Sequence, residues 1–148
     1  MKLPDAVLME VTRLGFDTAP FIYFVECHPV YLPLLRNIIT QIDQGTLQGY
    51  GSVITLTEVL VHPKRNGKIA LEKEYRNLLQ NSRNFELIPI DADIANRAAE
   101  LRSRYNLRTP DALQIAATLS VGCEAFLTND KQLKRVDEIH VIVLDDYV

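Results

Sequence analysis

Apolar residues recur along this chain in two periods, and the periods alternate. Short apolar runs occupy 10–17 (EVTRLGFD), 49–55 (GYGSVIT), 85–90 (FELIPI), 124–128 (EAFLT) and 140–144 (HVIVL), and they predict strands. Between them lie stretches at helical spacing. The segment 19–26 (APFIYFVE) predicts a short helix that tolerates Pro20 in its first turn. Tyr31, Leu34, Leu35, Ile38, Ile39 and Ile42 form one stripe of an amphipathic helix that Gly45 ends. A short helix TEVLVH follows the second run and should stop before Pro63. Leu71, Tyr75, Leu78 and Leu79 mark a further helix over 69–81, and Asp91 caps another with Ile94, Ala98, Leu101 and Tyr105 on its apolar face. In 109–122 (TPDALQIAATLSVG), Thr109 reads as the N-cap, Pro110 as the first helical residue and Gly122 as the exit.

Strands alternating with helices predict an α/β fold: a three-layer sandwich with a central parallel sheet flanked by helices. The helix that begins near Asp111 is apolar on nearly every side and belongs inside such a sandwich. No repeat, low-complexity tract or linker interrupts the 148 residues, so a single domain over 1–148 is expected. In open parallel sheets, ligands bind beyond the carboxyl ends of the strands, where the strand order reverses.

Composition adds exclusions. The formal charge of −3 argues against wholesale electrostatic coating of nucleic acid and leaves room only for a local basic patch. No window approaches the roughly 20 apolar residues that span a bilayer, so no membrane role is expected. Asp5, Glu10 and Arg13 interrupt the place where a secretory leader would need its apolar run. Cys27 and Cys123 are isolated, with no CxxC spacing, which suits a reducing cytoplasm and two buried small apolar side chains.

The candidate chemistry lies in the acids. Asp17 closes the first run, Glu58 is placed in the first turn after the second, Asp111 stands at the second position of the buried helix, and Asp130 follows AFLT by two residues. All four are expected on one edge of the sheet, whereas Glu72, Glu74 and Glu100 fall on polar helix faces. Singly, each has an ordinary explanation: a dipole-complementing acid at Asp111, an N-cap at Asp130, a turn residue at Asp17, a solvated acid at Glu58. Together they carry a cost, because two like charges about 4 Å apart repel by about 4 kcal/mol at an effective dielectric of about 20. Such a cluster survives if protons rearrange or a cation sits among the acids. Oxygen ligands without Cys or His suit Mg2+ or Mn2+ over zinc, and His28, His62 and His140 are scattered. That set points to metal-assisted phosphodiester hydrolysis. The crowding also predicts that Asp111→Asn raises the metal-free melting temperature. Lys64, Arg65, Lys68, Arg102, Arg104, Arg108, Lys131, Lys134 and Arg135 flank the acids and are candidates to hold phosphates.

The stretches FDTAPFIYFVE, ITLTEVLVHP, TPDALQIAATL and FLTND resemble, in order and spacing, the motifs of PIN-domain ribonucleases, and among them VapC-type toxins of toxin–antitoxin pairs. The resemblance covers about Gly15 to Asp145. It implies an acidic tetrad at Asp17, Glu58, Asp111 and Asp130 that holds Mg2+ or Mn2+, with the Thr128 hydroxyl supporting the site and Asn129 flanking it. It implies a metal-dependent endoribonuclease acting on RNA, a homodimer, and an antitoxin that covers the site. The stripes of 30–44 and 69–81 exceed what one side of a small sheet needs, so part of them, Leu35 included, is expected to form a groove for an antitoxin helix. Ala19 and Pro20 depart from the family's usual residues after Asp-Thr, which puts a supporting contact in doubt. Two other functions compete. A haloacid-dehalogenase-like phosphatase needs a second Asp two residues after the first, where this chain has Ala19. A non-catalytic PIN-like binding or scaffold module has no need of all four acids.

Overall fold

The computed structural model describes residues 5–148 of the chain, so the first four residues of the expected domain lie outside the described residues. A single helical turn, α1 (Asp5–Leu8), precedes β1 (Arg13–Phe16), α2 (Thr18–Val25), α3 (Leu32–Asp43), β2 (Gln48–Ser52), α4 (Val53–Arg65), α5 (Ile69–Asn81), β3 (Phe85–Ile88), α6 (Ala92–Tyr105), α7 (Thr109–Ser120), β4 (Ala125–Thr128) and β5 (His140–Val143). Two 3-10 turns follow β4 and β5, at Lys131–Arg135 and Leu144–Tyr147. Among the described residues no helix is long and apolar enough to cross a membrane.

The five strands form one sheet in the order β3-β2-β1-β4-β5, and every pairing is parallel. Alternating strand residues enter two cores. Ala125, Leu127 and Ile142 join Phe21, Leu35, Ile38, Ile42, Val59, Tyr75 and Leu79 on the side of α2 to α5. Phe126, Val141 and Val143 join Ile94, Ala98, Leu101, Ile115 and Ala116 on the side of α6 and α7. This is the three-layer sandwich that the alternating periods predict. Its strand order reverses at β1, whose neighbours are β2 and β4. The carboxyl ends of β1 and β4 therefore define the crevice where a ligand is expected.

One close approach fixes how α7 lies on the sheet. A Cβ added at Gly15 would stand 2.4 Å from Thr118 Cγ2 and 2.6 Å from Thr118 Cβ. Thr118 is fully buried and branched, so it has no flexible end to move aside. Gly15→Ala is expected to cost about 1–3 kcal/mol, the range for overpacking, as a lowered urea midpoint with an unchanged slope.

The sequence misplaces several element ends. The run expected as a strand over 49–55 leaves the sheet after Ser52, whose hydroxyl accepts from Ile54 N at 3.2 Å and starts α4. The β-branched Val53, Ile54 and Thr55 read as strand, but the serine cap outweighs their modest propensity. Glu58 consequently sits a turn deeper in its helix than expected, three residues after Thr55 on the same face. The helix also continues through Pro63, which is buried and lies only two residues from its end. At α7 the cap position is Arg108, with Thr109 and Pro110 as the first two helical residues. The first strand is shorter than the run 10–17, because residues 9–12 turn between α1 and β1. The strands β3 and β5 end before the last apolar residues of their runs. Cys123 is buried as expected, but Cys27 is exposed. Cys27 lies in the turn that ends α2, with a φ of 56°.

The two apolar stripes are mostly spent on the core. Leu35 is 1% exposed, and Ile38, Ile42, Tyr75 and Leu79 are buried with it. Leu35 therefore does not line an open groove. What remains between α3 and α5 is a pocket of about 220 Å³ bordered by Phe21, Ile39, Leu78 and Phe85.

Candidate functional site

Asp17 follows the last residue of β1 and caps α2. Its backbone N–H donates to Leu127 O on β4 at 2.9 Å, which fixes it at the strand-order reversal. Its carboxylate accepts three hydrogen bonds: from Thr18 N at 2.8 Å, Gln114 Nε2 at 3.2 Å and Thr128 Oγ1 at 2.7 Å. Glu58 arrives from α4, where Thr18 Oγ1 donates to its Oε1 at 2.5 Å. Asp111 comes from the first turn of α7 and is gripped by Arg108, with Nε at 3.0 Å and a terminal nitrogen at 3.2 Å. Asp130 follows β4. Its backbone N–H donates to Thr128 Oγ1 at 3.1 Å, and its side chain caps the following 3-10 turn through Gln132 N at 2.9 Å.

These four acids, from four separate segments, line one pocket of about 420 Å³ together with Thr18, Ala19, Ile22, Tyr23, Arg108, Thr128 and Asn129. The four acids, Thr128 and Asn129, all named from the sequence, reach this pocket; of the candidate phosphate-holding bases only Arg108 does. Thr128 ties two of the acids together, since one hydroxyl donates to Asp17 and accepts from the backbone of Asp130. Asn129 acts on the wall: its amide donates to Tyr23 Oη at 3.2 Å and its oxygen accepts from Asp145 N at 2.9 Å. The departure at Ala19 and Pro20 costs no backbone bond. Pro20 is the third residue of α2, where an N–H has no partner inside the helix, and its ring is buried.

The charge in the pocket is unevenly met. Burial, ahead of repulsion from Asp111 and Glu58, pushes the Asp17 carboxyl above its ordinary range despite the donors from Thr128 and Thr18. Asp111, in contrast, has the Arg108 guanidinium against it. The acid whose neutralisation should stabilise the metal-free protein is therefore Asp17 and not Asp111. A raised folded-state value penalises the charged form at neutral pH, and protonation relieves the penalty as pH falls toward 3.8. Asp17→Asn is expected to melt higher than the parent chain in a chelator at pH 7, with the gap closing as the pH is lowered. Scanning calorimetry over that range would show the trend, and a lower melting temperature at pH 7 would contradict it.

The donor set is oxygen throughout, which suits a hard divalent cation. Among the described residues, however, no three acidic, histidine or cysteine side chains stand close enough to grip an ion as placed. The partners explain this: Asp111 is turned to Arg108, and Glu58 to Thr18. Arg108 is mostly exposed, so a cation would displace it from Asp111, whereas Thr18 is buried and stays against Glu58. None of the three histidines lines this pocket, and His28 instead packs against Tyr23 and Tyr31.

Several of the flanking bases are engaged away from the pocket. Lys64 pairs with Glu72, Arg104 with Glu138 and Lys134 with Asp146. Arg102 donates to Leu107 O and Arg135 to Asn106 O. Of the nine, Arg108 is the one in the wall of the pocket. Sequence reasoning missed Gln114, Ser52, Thr55 and Thr18, four buried polar side chains behind the acids. The signal for Gln114 was available, since it is the lone amide in the apolar run DALQIAATL.

No curated protein matches the chain in sequence. Among solved structures, it is similar to a chain of a toxin–antitoxin complex from Klebsiella pneumoniae, at 28% identity and a TM-score of 0.67, covering 90% of this chain and 98% of that one. A chain of VapBC2 from Rickettsia felis, bound to a fragment of its promoter DNA, superposes with a TM-score of 0.73 at 17% identity, over 89% and 98% of the two chains. A chain of VapBC-1 from nontypeable Haemophilus influenzae gives 0.62 at 13% identity, over 90% and 99%. At those lower identities the likeness is one of fold. The family model described as PIN domain matches residues 16–139, a stretch that contains all four pocket acids and most of the sheet; the chain belongs to the PIN domain family.

Proposed function

We propose that this chain is a divalent-metal-dependent endoribonuclease and the VapC-type toxin of a toxin–antitoxin pair. The observation that carries the reading is the convergence of Asp17, Glu58, Asp111 and Asp130 on one pocket at the strand-order reversal. Membership of the PIN domain family supports nuclease chemistry, and the similarity to chains of toxin–antitoxin complexes supports an antitoxin partner. A homodimer and a cytoplasmic location belong to the same reading.

Asp17, Glu58 and Asp111 would hold Mg2+ or Mn2+, with Asp130 closing the ring directly or through water. When bound, such an ion activates water and offsets charge on a phosphate. The chain's own residues do the rest. Thr128 and Gln114 keep the Asp17 carboxylate from turning away. Thr18 restrains Glu58. Arg108 is mostly exposed, and with an ion on Asp111 its guanidinium would be free to meet a backbone phosphate of the RNA.

Incubating the purified chain with total RNA, in Mn2+ and in EDTA, tests the reading. Cleavage in Mn2+ alone is expected, with no turnover of small phosphate esters. Intact RNA under both conditions, from folded protein free of antitoxin, would leave the scaffold function in its place. Arg108 carries a separate expectation. Arg108→Ala should weaken RNA binding and lower the slope of log K against log salt by about 0.7, the value for one phosphate contact on a single strand. An unchanged slope would place the phosphate elsewhere.

A further inference from the structure

We propose that Gln114 is the positioning residue of the metal site, a role that rests on the metal-dependent reading above. Gln114 is 1% exposed on a helix whose neighbouring positions are apolar, and a buried amide is costly unless all its groups are bonded. All of them are. Its Oε1 accepts from Ser52 Oγ at 2.6 Å and Thr55 Oγ1 at 2.9 Å. Its Nε2 donates to Asp17 Oδ1 at 3.2 Å and Thr18 Oγ1 at 3.0 Å.

The two ends of the amide are not interchangeable. Turned over, the oxygen would face the Asp17 carboxylate with no proton between them. The Asp17 carboxylate therefore sets the direction of the amide, and the rotatable Ser52 and Thr55 hydroxyls donate to its oxygen and lock it there. With Nε2 donating to it, Thr18 Oγ1 keeps its own proton for Glu58, 2.5 Å away. One side chain on α7 thus orients an acid after β1 and, through Thr18, an acid on α4. It touches no substrate. It holds the side chains that would hold the ion, as outer partners of metal ligands do.

The test uses the full chain and Mn2+ alone as the probe, with free Mn2+ read by electron paramagnetic resonance below the melting temperature of each variant. Gln114→Leu is expected to weaken Mn2+ binding about 10- to 100-fold, the range for losing an outer partner. Its RNA cleavage should fall in kcat with KM unchanged. Thr55→Val touches none of the four acids and should weaken Mn2+ binding several-fold, because it loosens the amide. A purely structural Gln114 would lower the melting temperature and leave the Mn2+ affinity of the folded protein alone. Parent-level affinity in folded Gln114→Leu overturns the proposal. If Gln114→Leu does not fold, parent-level affinity in Thr55→Val overturns it. If the parent chain itself binds no Mn2+, the metal reading falls first and this role falls with it.

Discussion

Asp17→Asn should lower RNA cleavage by about 100-fold or more while leaving the fold intact. Loss of an outer partner already costs metal sites about 10- to 100-fold, so loss of the acid at the centre belongs at or beyond the top of that range. Asp17 is central by its contacts: three donors converge on its carboxylate, and Asp111 and Glu58 both act on its charge. Asparagine keeps the shape and can still accept from Thr18 N. The diagnostic is that activity and metal-free stability move in opposite directions, which a merely damaged protein does not do. Asp111→Asn should be comparably inactive, without the gain in stability, because it weakens the pair with Arg108. Asp130→Asn should retain part of the activity, since Asp130 also spends its side chain on capping a turn. Full cleavage by Asp17→Asn, with contaminating nuclease excluded, would remove the tetrad from the mechanism.

The second large effect is stabilisation by the cation. A ligand at about 100 times its dissociation constant stabilises the native state by about 2.7 kcal/mol. For a chain of this size each kcal/mol moves the melting temperature by about 2–4 °C. Saturating Mn2+ should therefore raise it by about 5–10 °C, and Asp17→Asn should abolish the rise. The ion must first displace Arg108 from Asp111, so Arg108→Ala should reach the same rise at lower Mn2+ even as it binds RNA more weakly. A rise that survives Asp17→Asn would place the ion outside this pocket.

The layers of the fold and the acids that line the pocket were legible for the same reason. Burial of parallel strands on both faces imposes apolar runs, and a carboxylate at the end of such a run stands out against it. The helix start at Ser52 was hidden because Val53, Ile54 and Thr55 satisfy strand and helix alike, and the deciding event is a hydroxyl accepting one backbone N–H. The groove expected from Leu35 failed on geometry. Periodicity shows that a face is apolar, and only the packed chain shows that Leu35 is already buried in the core beneath it. Arg108 illustrates a third limit. Nine bases flank the acids in sequence, and only the fold shows which are taken by Glu72, Glu138 and Asp146. The network behind the acids was least legible, since Ser52, Thr55 and Gln114 meet across 62 and 59 residues of chain.

Anomalous scattering from a crystal of the chain grown with Mn2+ addresses the pocket most directly. A peak in contact with the Asp17 carboxylate and at least one more of Glu58, Asp111 and Asp130, at about 2.0–2.3 Å, is expected. A structure at saturating Mn2+ with no ion among these acids, and with Arg108 still paired to Asp111, would contradict a metal-dependent nuclease.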